Sequence, residues 1–463
     1  MPDNNTDSTN TKQKSLRYSI IDGCAASLMT GFGDSYISAY AIFLNASNAV
    51  IGLISSVPQL LGTAAQLISV RALDRTGHRK SLILPSVLTQ MLAWLPIFFL
   101  PFVWKGAGPA LLLAAFCLYN ASGNFSAPAW NSLIGDLVEP QKRGDFFAKR
   151  NRYIAIFSFG SILMAGLILH LLKPINEWTG FGIIFGAAFL SRGISLYFLS
   201  ITHEPAYKVH PTDKFTLWDF IRRSPKSNFA RFVFYVALMN TAVMVSGPFF
   251  AVYMLKDLQF SYAQFTISSV TAVLTQILSM PYWGRICDRF GNKKIMTVTG
   301  WLVPIVPVLW LFSPNFYYIL LCQGIGGLIW AGFNLAAGNF IFDAVSPPKR
   351  ARCVAYYSLF NNIGIFIGAT IGAWLSMRLP GKIELFGLTI VLISYLHNLF
   401  LISGLMRLAF SVIFLPRFKE VREVEHIHTW KLFYQIAQGR PILEPILEPI
   451  LEIFTGGDKD ETD

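Results

Sequence analysis

The chain has 463 residues, of which 53% are hydrophobic and 14% are charged. An ordinary soluble domain carries about 25% charged residues, and the mean hydropathy of +0.48 is more apolar sequence than a buried core can absorb. The formal net charge of +12 would suit nucleic acid, but the basic residues are scattered between apolar runs. The composition therefore excludes a nucleic-acid partner and predicts an integral membrane protein surrounded by lipid.

The cysteines and the N-terminal residues narrow the class of membrane protein further. Five cysteines occur without any CxxC spacing, which indicates neither a disulfide framework nor a zinc site. The residues before Tyr18 are polar and lack the apolar core of a cleavable signal peptide. Because no G-x-x-x-x-G-K-[ST] loop occurs, nothing indicates ATP use. We expect no metal and no cofactor.

Twelve apolar runs follow one another along the chain, each long enough to cross a bilayer as a helix. They occupy positions 18–44, 50–70, 81–103, 108–135, 150–172, 179–200, 230–254, 262–283, 294–312, 316–343, 353–378 and 385–415. The fourth and tenth runs are diluted by Asn, Ser, Gly and Pro. Such helices usually face other helices or a cavity and not lipid.

The segments between the runs alternate in charge. The basic set is Arg71, Arg75, Arg79, Lys80, Lys142, Arg143, Lys149, Arg150, Arg152, the stretch 208–231, Arg285, Arg289, Lys293, Lys294, Lys349, Arg350, Arg352 and the C-terminal tail. The opposite set is Lys105, Lys173, Lys256, Arg378 and Lys382. Because Lys and Arg accumulate in cytoplasmic loops, this asymmetry predicts a multi-pass protein of the inner cell membrane with both termini in the cytoplasm.

Two sequence frames occur twice. RALDRTGHRK at 71–80 resembles RICDRFGNKK at 285–294, with an offset of 214 between the aspartates. DLVEPQKR at 136–143 resembles DAVSPPKR at 343–350, with an offset of 207. Each pair falls in the same slot relative to the apolar runs, which predicts two duplicated halves of six helices each.

The repeated frames suggest a physical role for the loops that carry them. Gly77 and Gly291 allow a tight turn, and Asp74 and Asp288 stand beside several cations, which a carboxylate can bind. Such contacts would either latch helices together in one conformation or hold a static loop, and both interpretations remain open. The residues assigned to these gating loops are Asp74, Arg75, Gly77, Asp136, Arg143, Gly284, Asp288, Arg289, Gly291, Asp343 and Arg350.

These frames resemble the loop signature of the major facilitator superfamily, G-x-x-x-D-[RK]-x-G-[RK]-[RK]-[RK]. The second copy matches at Gly284, Asp288, Arg289, Gly291, Lys293 and Lys294. The first copy departs from the signature at Val70 and His78. The stretch 128–151 is similar to one found in a poorly characterised bacterial branch of that superfamily.

The resemblance implies an all-α integral membrane protein with twelve transmembrane helices in two pseudo-symmetric six-helix bundles that alternate access to a central site. We expect the following organisation: a tail at 1–17, a bundle at 18–200, a cytoplasmic linker at 201–229, a second bundle at 230–415 and a tail at 416–463, which contains the repeat ILEPILEPILE.

The resemblance also implies that helices 1, 4, 7 and 10 line the cavity. On helix 4 three amides share one face, and helix 10 carries a similar stripe. These side chains would bind substrate or join helices through amide hydrogen bonds. The predicted cavity residues are Tyr36, Tyr40, Tyr119, Asn120, Asn124, Asn131, Asn240, Gln323, Trp330 and Asn334.

Two of the charged residues within the apolar runs are candidates for a functional role. Asp34 lies near the middle of the first run, where an ionised carboxylate should be paired, hydrated or protonated. It would carry a proton or contact a cationic substrate, or else form a structural ion pair or stay a neutral acid. Arg192 in the sixth run would pair with Asp34 or extend toward the cytoplasm.

The sequence therefore predicts a secondary active transporter of a small solute, with proton coupling through Asp34 as a further hypothesis. An uncoupled facilitator, or a receptor that kept the fold without transport, is the alternative. A membrane enzyme is disfavoured because the helices offer few His and carboxylate side chains for a catalytic constellation. We expect a monomer whose partners are lipid, a small-molecule substrate and, under the coupled hypothesis, protons.

Overall fold

The computed structural model describes residues 4–138, 143–205, 220–222, 227–345, 347–380, 382–385, 388–391 and 394–425. Most of the linker predicted at 201–229 and the tail with its ILEP repeat lie outside these residues. The helices are α1 Asn4–Phe32, α2 Ile37–Phe43, α3 Asn48–Thr76, α4 Lys80–Leu92, α5 Trp94–Val103, α6 Gly108–Leu137, α7 Arg143–Leu172, α8 Glu177–Ile201, α9 Asn228–Ser246, α10 Phe249–Val252, α11 Tyr262–Phe290, α12 Asn292–Leu302, α13 Ile305–Leu309, α14 Phe316–Ala344, α15 Pro347–Ser376 and α16 Leu396–Phe414.

Helix follows the apolar runs along the described chain. Among the residues that the structure describes, ten segments are long and apolar enough to cross a membrane. The two runs outside that set are interrupted, because 18–44 is divided between α1 and α2 and 294–312 between α12 and α13. The predicted all-α membrane architecture is confirmed.

The start of the last run was predicted wrongly. Residues Lys382–Leu385 and Leu388–Val391 form an antiparallel hairpin, β1 and β2, in which Leu385 pairs with Leu388. The helix begins only at Leu396. Ile, Val and Thr are frequent in this stretch, and β-branched side chains favour strands over helix.

Two spanning segments are broken at equivalent places. The first segment breaks at Gly33, after which Asp34–Tyr36 form a 3-10 turn. The seventh breaks between α9 and α10 at Gly247–Pro248 and continues as a π-turn at Tyr253–Asp257. Pro248 has no N–H to donate to the preceding turn. Gly33 and Gly247 are separated by the same 214 positions as the repeated aspartates, so each half interrupts its first spanning segment.

The glycines of the two repeated loop frames both have a positive φ. Gly77, with a φ of 65°, ends α3, and Gly291, with a φ of 85°, precedes α12. The Gly77 N–H donates to the carbonyl of Leu73 and the Gly291 N–H donates to that of Cys287, each at 3.0 Å. Both backbone conformations are ones that glycine adopts without the steric cost of a Cβ atom.

The described residues group into two compact units. Unit 1 comprises Met1–Thr212, Gly247–Thr266 and Ala369–Arg378, and unit 2 comprises Asp213–Ser246, Ile267–Gly368 and Leu379–Asp463. Unit 1 contains an apolar cluster from α3, α4, α6 and α8. In unit 2 the larger apolar cluster joins α9, α11, α12 and α14. Each unit therefore has a core of its own.

Candidate functional site

Asp34 lies at the break in the first spanning segment, in the 3-10 turn between α1 and α2. Its Oδ1 atom is enclosed and has no hydrogen-bond partner among the described residues. The carboxylate interacts with the Tyr119 hydroxyl of α6 and, electrostatically, with the Arg192 guanidinium of α8. The structure thus brings together three residues that the sequence singled out separately.

A second carboxylate, that of Asp22, lies on α1, twelve residues before Asp34 in the sequence. It was missed by the sequence analysis. It is 3% exposed. Ser195 Oγ donates to its Oδ1 at 2.6 Å, and Trp130 Nε1 donates to its Oδ2 at 3.2 Å. Arg150 Nη2 approaches the same Oδ2 at 3.9 Å. The only signal for this residue was an acidic side chain within the first apolar run.

Arg150 is held beside Asp22 by two further contacts. Its Nε donates to the carbonyl of Ser19 at 3.2 Å, and its guanidinium lies 4.5 Å from the centre of the Trp130 ring. A Cβ atom at Gly23 would lie 2.6 Å from Arg150 Nη2, so the guanidinium needs glycine there. Asp22 is therefore a satisfied carboxylate in a built ion-pair site.

Arg192 interacts electrostatically with both carboxylates and is 7% exposed. Its Nη1 donates to Ser195 Oγ at 2.9 Å, and that hydroxyl passes the hydrogen bond on to Asp22. Its Nε is enclosed without a partner among the described residues. The guanidinium interacts electrostatically with Asp22, Tyr119 and Asp34. Arg192 is thus anchored on one side and has an unused donor on the other.

Two more side chains near Asp34 have enclosed polar atoms without partners in the described chain. They are Gln90 at Oε1 and Trp94 at Nε1. The Trp94 ring lies 5.0 Å from that of Tyr119, and Gln90 hydrogen-bonds the Tyr119 hydroxyl. Buried polar groups without a partner are few in native proteins and indicate an unseen water, ion or ligand.

The predicted cavity tyrosines of the first half are almost completely buried. Tyr36, which is 1% exposed, shares a 2.7 Å hydrogen bond with Thr266 Oγ1 and donates to the carbonyl of Ile162 at 2.7 Å. Tyr40 donates to the carbonyl of Phe98 at 3.2 Å. These hydroxyls therefore bond to protein groups of unit 1 in this structure.

Two of the three amide side chains that share a face of α6 donate hydrogen bonds to backbone carbonyls of the same helix. Asn120 Nδ2 donates to the carbonyl of Phe116 at 3.1 Å, and Asn124 Nδ2 donates to that of Asn120 at 3.0 Å. Gly62 of α3 leaves room for Asn124, because a Cβ there would lie 2.5 Å from Asn124 Nδ2. Asn131, about two helical turns beyond Asn124, is exposed.

The predicted cavity residues of the second half occupy different surroundings. Asn240 Nδ2 donates to Asn361 Oδ1 at 2.6 Å and so joins α9 to α15. On α14, Gln323 and Trp330 are partly buried and Asn334 is exposed. Unit 2 also holds a buried arginine that the sequence analysis missed. It is Arg407 on α16, which donates from Nη2 to Ser246 Oγ, from Nε to Ser403 Oγ and from Nη1 to the carbonyl of Val303.

The gating loop of the first half centres on Arg79. Its Nη2 donates to Asp136 Oδ2, and its backbone N–H donates to Glu204 Oε1 at 2.6 Å. Arg75 is exposed. The side chains of Asp74, Arg143 and Arg350 lie outside the part of the chain that the structure describes.

The gating loop of the second half involves three predicted residues. Asp343 accepts a hydrogen bond from Asn292 Nδ2 at 2.6 Å. The Asp288 carboxylate lies 3.9 Å from Arg422, and Arg289 Nε donates to Glu425 at 2.8 Å. At Gly284 a Cβ atom would meet open space. Within the described ranges, no group of three or more His, Cys, Asp or Glu residues is placed to hold a metal ion.

Comparison with known proteins gives concordant results. The profile described as the Major Facilitator Superfamily matches residues 23–246 and residues 232–443. The multidrug resistance protein MdtG of Proteus mirabilis is 22% identical over 363 residues, which cover 77% of this chain and 86% of that protein. The quinolone resistance protein NorA of Staphylococcus aureus is 27% identical over 151 residues, or 32% of this chain and 38% of NorA. The transporter BU588 of Buchnera aphidicola is 23% identical over 145 residues, which span 31% of this chain and 35% of that protein. The chain thus spans a little over a third of the length of the last two.

Solved structures resemble the whole helical part. The nucleoside transporter NupG has a TM-score of 0.63 at 16% identity, covering 89% of this chain and 100% of that chain. A bacterial homologue of the iron transporter ferroportin, in an inward-facing state, also has a TM-score of 0.63, at 14% identity and with 88% and 98% covered. At such identities the likeness shows the fold.

The spanning helices, the broken first and seventh segments and the intramembrane charges define a multi-pass membrane protein with a polar site inside its helices. Because the family profile matches most of its length, the chain belongs to the Major Facilitator Superfamily. The resemblance drawn from the loop frames is confirmed.

Proposed function

We propose that this protein is a secondary active transporter that moves a small solute by alternating access, and that Asp34 carries the coupling proton. The observation that carries the proposal is the position of Asp34 at a helix break, with an enclosed Oδ1 atom that lacks a partner in the described chain. Secondary transporters bind substrates and coupling ions at discontinuous helices. The equivalent break at Gly247 supports this assignment.

Asp34, and not Asp22, is suited to exchange a proton. Asp22 accepts hydrogen bonds from Ser195 and Trp130 and pairs with Arg150. Protonating it would disrupt all three interactions at once. Asp34 has an oxygen atom without a hydrogen-bond partner among the described residues, so protonation there breaks fewer interactions. Intramembrane carboxylates of this kind are usually functional.

Arg192 supplies the charge that makes the exchange reversible. It is anchored through Ser195 and interacts with Asp34 without a direct ion pair among the described contacts. When Asp34 releases its proton, the guanidinium offers a nearby counter-charge that lowers the cost of the carboxylate in the bilayer. Arg192 is therefore proposed as a positioning residue for the coupling step.

The proposal includes a location and a substrate class. The alternation of Lys and Arg along the chain supports an inner-membrane protein with cytoplasmic termini. Amides and aromatic side chains dominate the predicted cavity residues, which favours a solute that is uncharged or carries a single charge. Similar proteins are named for multidrug and quinolone resistance and for nucleoside transport, and these names indicate which compounds to test first.

The test begins with a thermal-shift screen of the purified protein, because a ligand of the native fold raises its apparent stability. Uptake of each ligand found is then measured in proteoliposomes with and without an imposed pH gradient. The proposal predicts accumulation above the equilibrium level only when the gradient is present. Equilibration without accumulation would identify a facilitator, and binding without any movement would identify a receptor. Either result would refute active transport.

A further inference from the structure

The segment that follows α16, residues 415–425, lies against the turn between α11 and α12, and we call it the strap. Glu420 Oε2 accepts a hydrogen bond from the backbone N–H of Lys293 at 2.7 Å. Lys293 Nζ donates to the carbonyl of Leu415 at 2.5 Å and lies 4.0 Å from the centre of the Phe418 ring. The strap therefore caps the first turn of α12, whose N–H groups have no partner within the helix.

The first half contains the same cap. Glu204, after α8, accepts a hydrogen bond from the backbone N–H of Arg79 at 2.6 Å. Lys80 Nζ donates to a carbonyl in the last turn of α8 at 2.7 Å. At the offset of 214 between the repeated frames, Lys293 takes the place of Arg79 and Asn292 takes the place of His78. The duplicated halves thus share a capping carboxylate and a lysine contact.

The two halves differ in the side chain that reaches the aspartate of the second repeated frame, because Lys293, at the position of Arg79, donates to the carbonyl of Leu415 instead. In the first half the Arg79 guanidinium neutralises Asp136. In the second half Asn292 Nδ2 donates to Asp343 at 2.6 Å, but an amide carries no charge. The strap supplies the missing charge, because Arg422 Nε lies 3.3 Å from Asp343 Oδ2.

Arg422 also contacts the turn itself. Its Nη2 donates to the carbonyl of Cys287 at 2.7 Å, and its Nη1 lies 3.9 Å from Asp288 Oδ1. Three residues beyond Arg422, Glu425 accepts a hydrogen bond from Arg289 Nε at 2.8 Å and donates its own N–H to the Arg289 carbonyl at 3.2 Å. One strap arginine therefore joins the end of α11 to the end of α14.

We propose that the strap is a built-in clamp of the second half, and that Arg422 is the functional counterpart of Arg79. The clamp ties the α11–α12 turn to the end of α14, so that these helix ends move together. The inference concerns contacts within unit 2 and does not depend on the role of Asp34.

Hydrogen exchange of the full-length protein tests the clamp without a substrate. In Arg422→Gln, amides of residues 285–294 should exchange about tenfold faster, equivalent to about 1.4 kcal/mol of lost protection. Arg417→Gln is the matched control, because the Arg417 guanidinium lies over the Phe414 ring and its backbone carbonyl, which the substitution keeps, accepts from Arg231. Unchanged exchange in Arg422→Gln, or equal acceleration in both variants, would overturn the proposal.

A rescue experiment distinguishes loss of the positive charge beside Asp343 from a general destabilisation of unit 2. Asn292→Arg places a guanidinium at the residue whose amide contacts Asp343. In the Arg422→Gln background it should return exchange of the turn to within about twofold of the wild-type rate. A second arm combines Arg422→Gln with Asp343→Asn, whose effects should be non-additive because the two groups interact. Strictly additive effects, or a folded Asn292→Arg double variant without rescue, would contradict the assignment.

Discussion

Gly33 should be intolerant of even one added carbon, because the Trp94 ring occupies the space beside it. A Cβ atom at Gly33 would lie 2.0 Å from Cη2, 2.4 Å from Cζ2 and 2.8 Å from Cζ3 of Trp94. Trp94 is 1% exposed and packs 5.0 Å from Tyr119 and 5.4 Å from Phe185. The added carbon would therefore press against a ring that is buried and packed against two other aromatic rings.

The cost of Gly33→Ala follows from these contacts. Overpacking of this kind costs about 1–3 kcal/mol. The φ of Gly33 is −103°, which alanine adopts without strain, so a gain of up to about 1 kcal/mol from reduced chain entropy works in the opposite direction. We expect a net destabilisation of about 1–2 kcal/mol, together with displacement of the turn that carries Asp34.

Equilibrium unfolding in detergent micelles measures this effect. Gly160→Ala is the matched control, because a Cβ there would meet nothing within 4 Å, and alanine in the interior of α7 should stabilise the protein by up to about 1 kcal/mol. Trp94→Phe removes ring atoms from the clash, so the two substitutions at Gly33 and Trp94 should be strongly non-additive. Equal stability of Gly33→Ala and Gly160→Ala would refute the reasoning.

Three further predictions concern buried polar groups. Asp22→Asn leaves a buried guanidinium without its partner and should cost about 3–5 kcal/mol, whereas Asp34→Asn should change stability by less than about 1 kcal/mol; similar thermal-unfolding shifts in both would contradict the distinction. Tyr36→Phe removes a hydroxyl with two hydrogen bonds and should cost about 1–3 kcal/mol, more than Tyr40→Phe, which removes one; the reverse order in denaturant titrations would be inconsistent with the contacts. Burial lowers the pKa of Lys293 to about 7 from 10.5, so between these values the unfolded chain binds a proton that the folded chain does not. Stability should therefore fall as the pH is lowered from 10.5 to 7 and level off below 7, and Lys293→Met should remove that component of the pH profile.

Much of the fold was predictable because bilayer thickness and internal duplication leave strong signals. Uninterrupted apolar length identifies a spanning segment without knowledge of its neighbours. The repeated D-R-x-G frame at Asp74 and Asp288 required only a comparison of the chain with itself. The hairpin before Leu396 was missed because a short apolar stretch is compatible with both strand and helix.

The candidate site was predictable only in part. Asp34 and Arg192 stood out because charges are rare within apolar runs. Their arrangement in space could not be predicted, because the hydrogen bonds that link Arg192 through Ser195 to Asp22 depend on how α1 and α8 pack. The amide stripe on α6 shows the same limit, because helical spacing places Asn120 and Asn124 on one face but does not reveal that their amide groups donate to carbonyls of their own helix.

The strap was unpredictable for a related reason. Its residues follow the last apolar run and resemble an ordinary charged tail. Only the three-dimensional contacts show that Arg422 meets Asp343, and only the internal repeat shows that Arg79 makes the corresponding contact in the first half. Duplication and structure together therefore identify a feature that neither reveals alone.

Proton movement driven by ligand tests the central claim most directly. Proteoliposomes that contain the purified protein and an internal pH-sensitive dye are exposed to a ligand identified by thermal shift, without an imposed pH gradient. The account predicts a ligand-dependent change in internal pH with the wild-type protein and none with Asp34→Asn, although that variant still binds the ligand. An equal change in internal pH with Asp34→Asn would contradict the assignment of the coupling proton to Asp34.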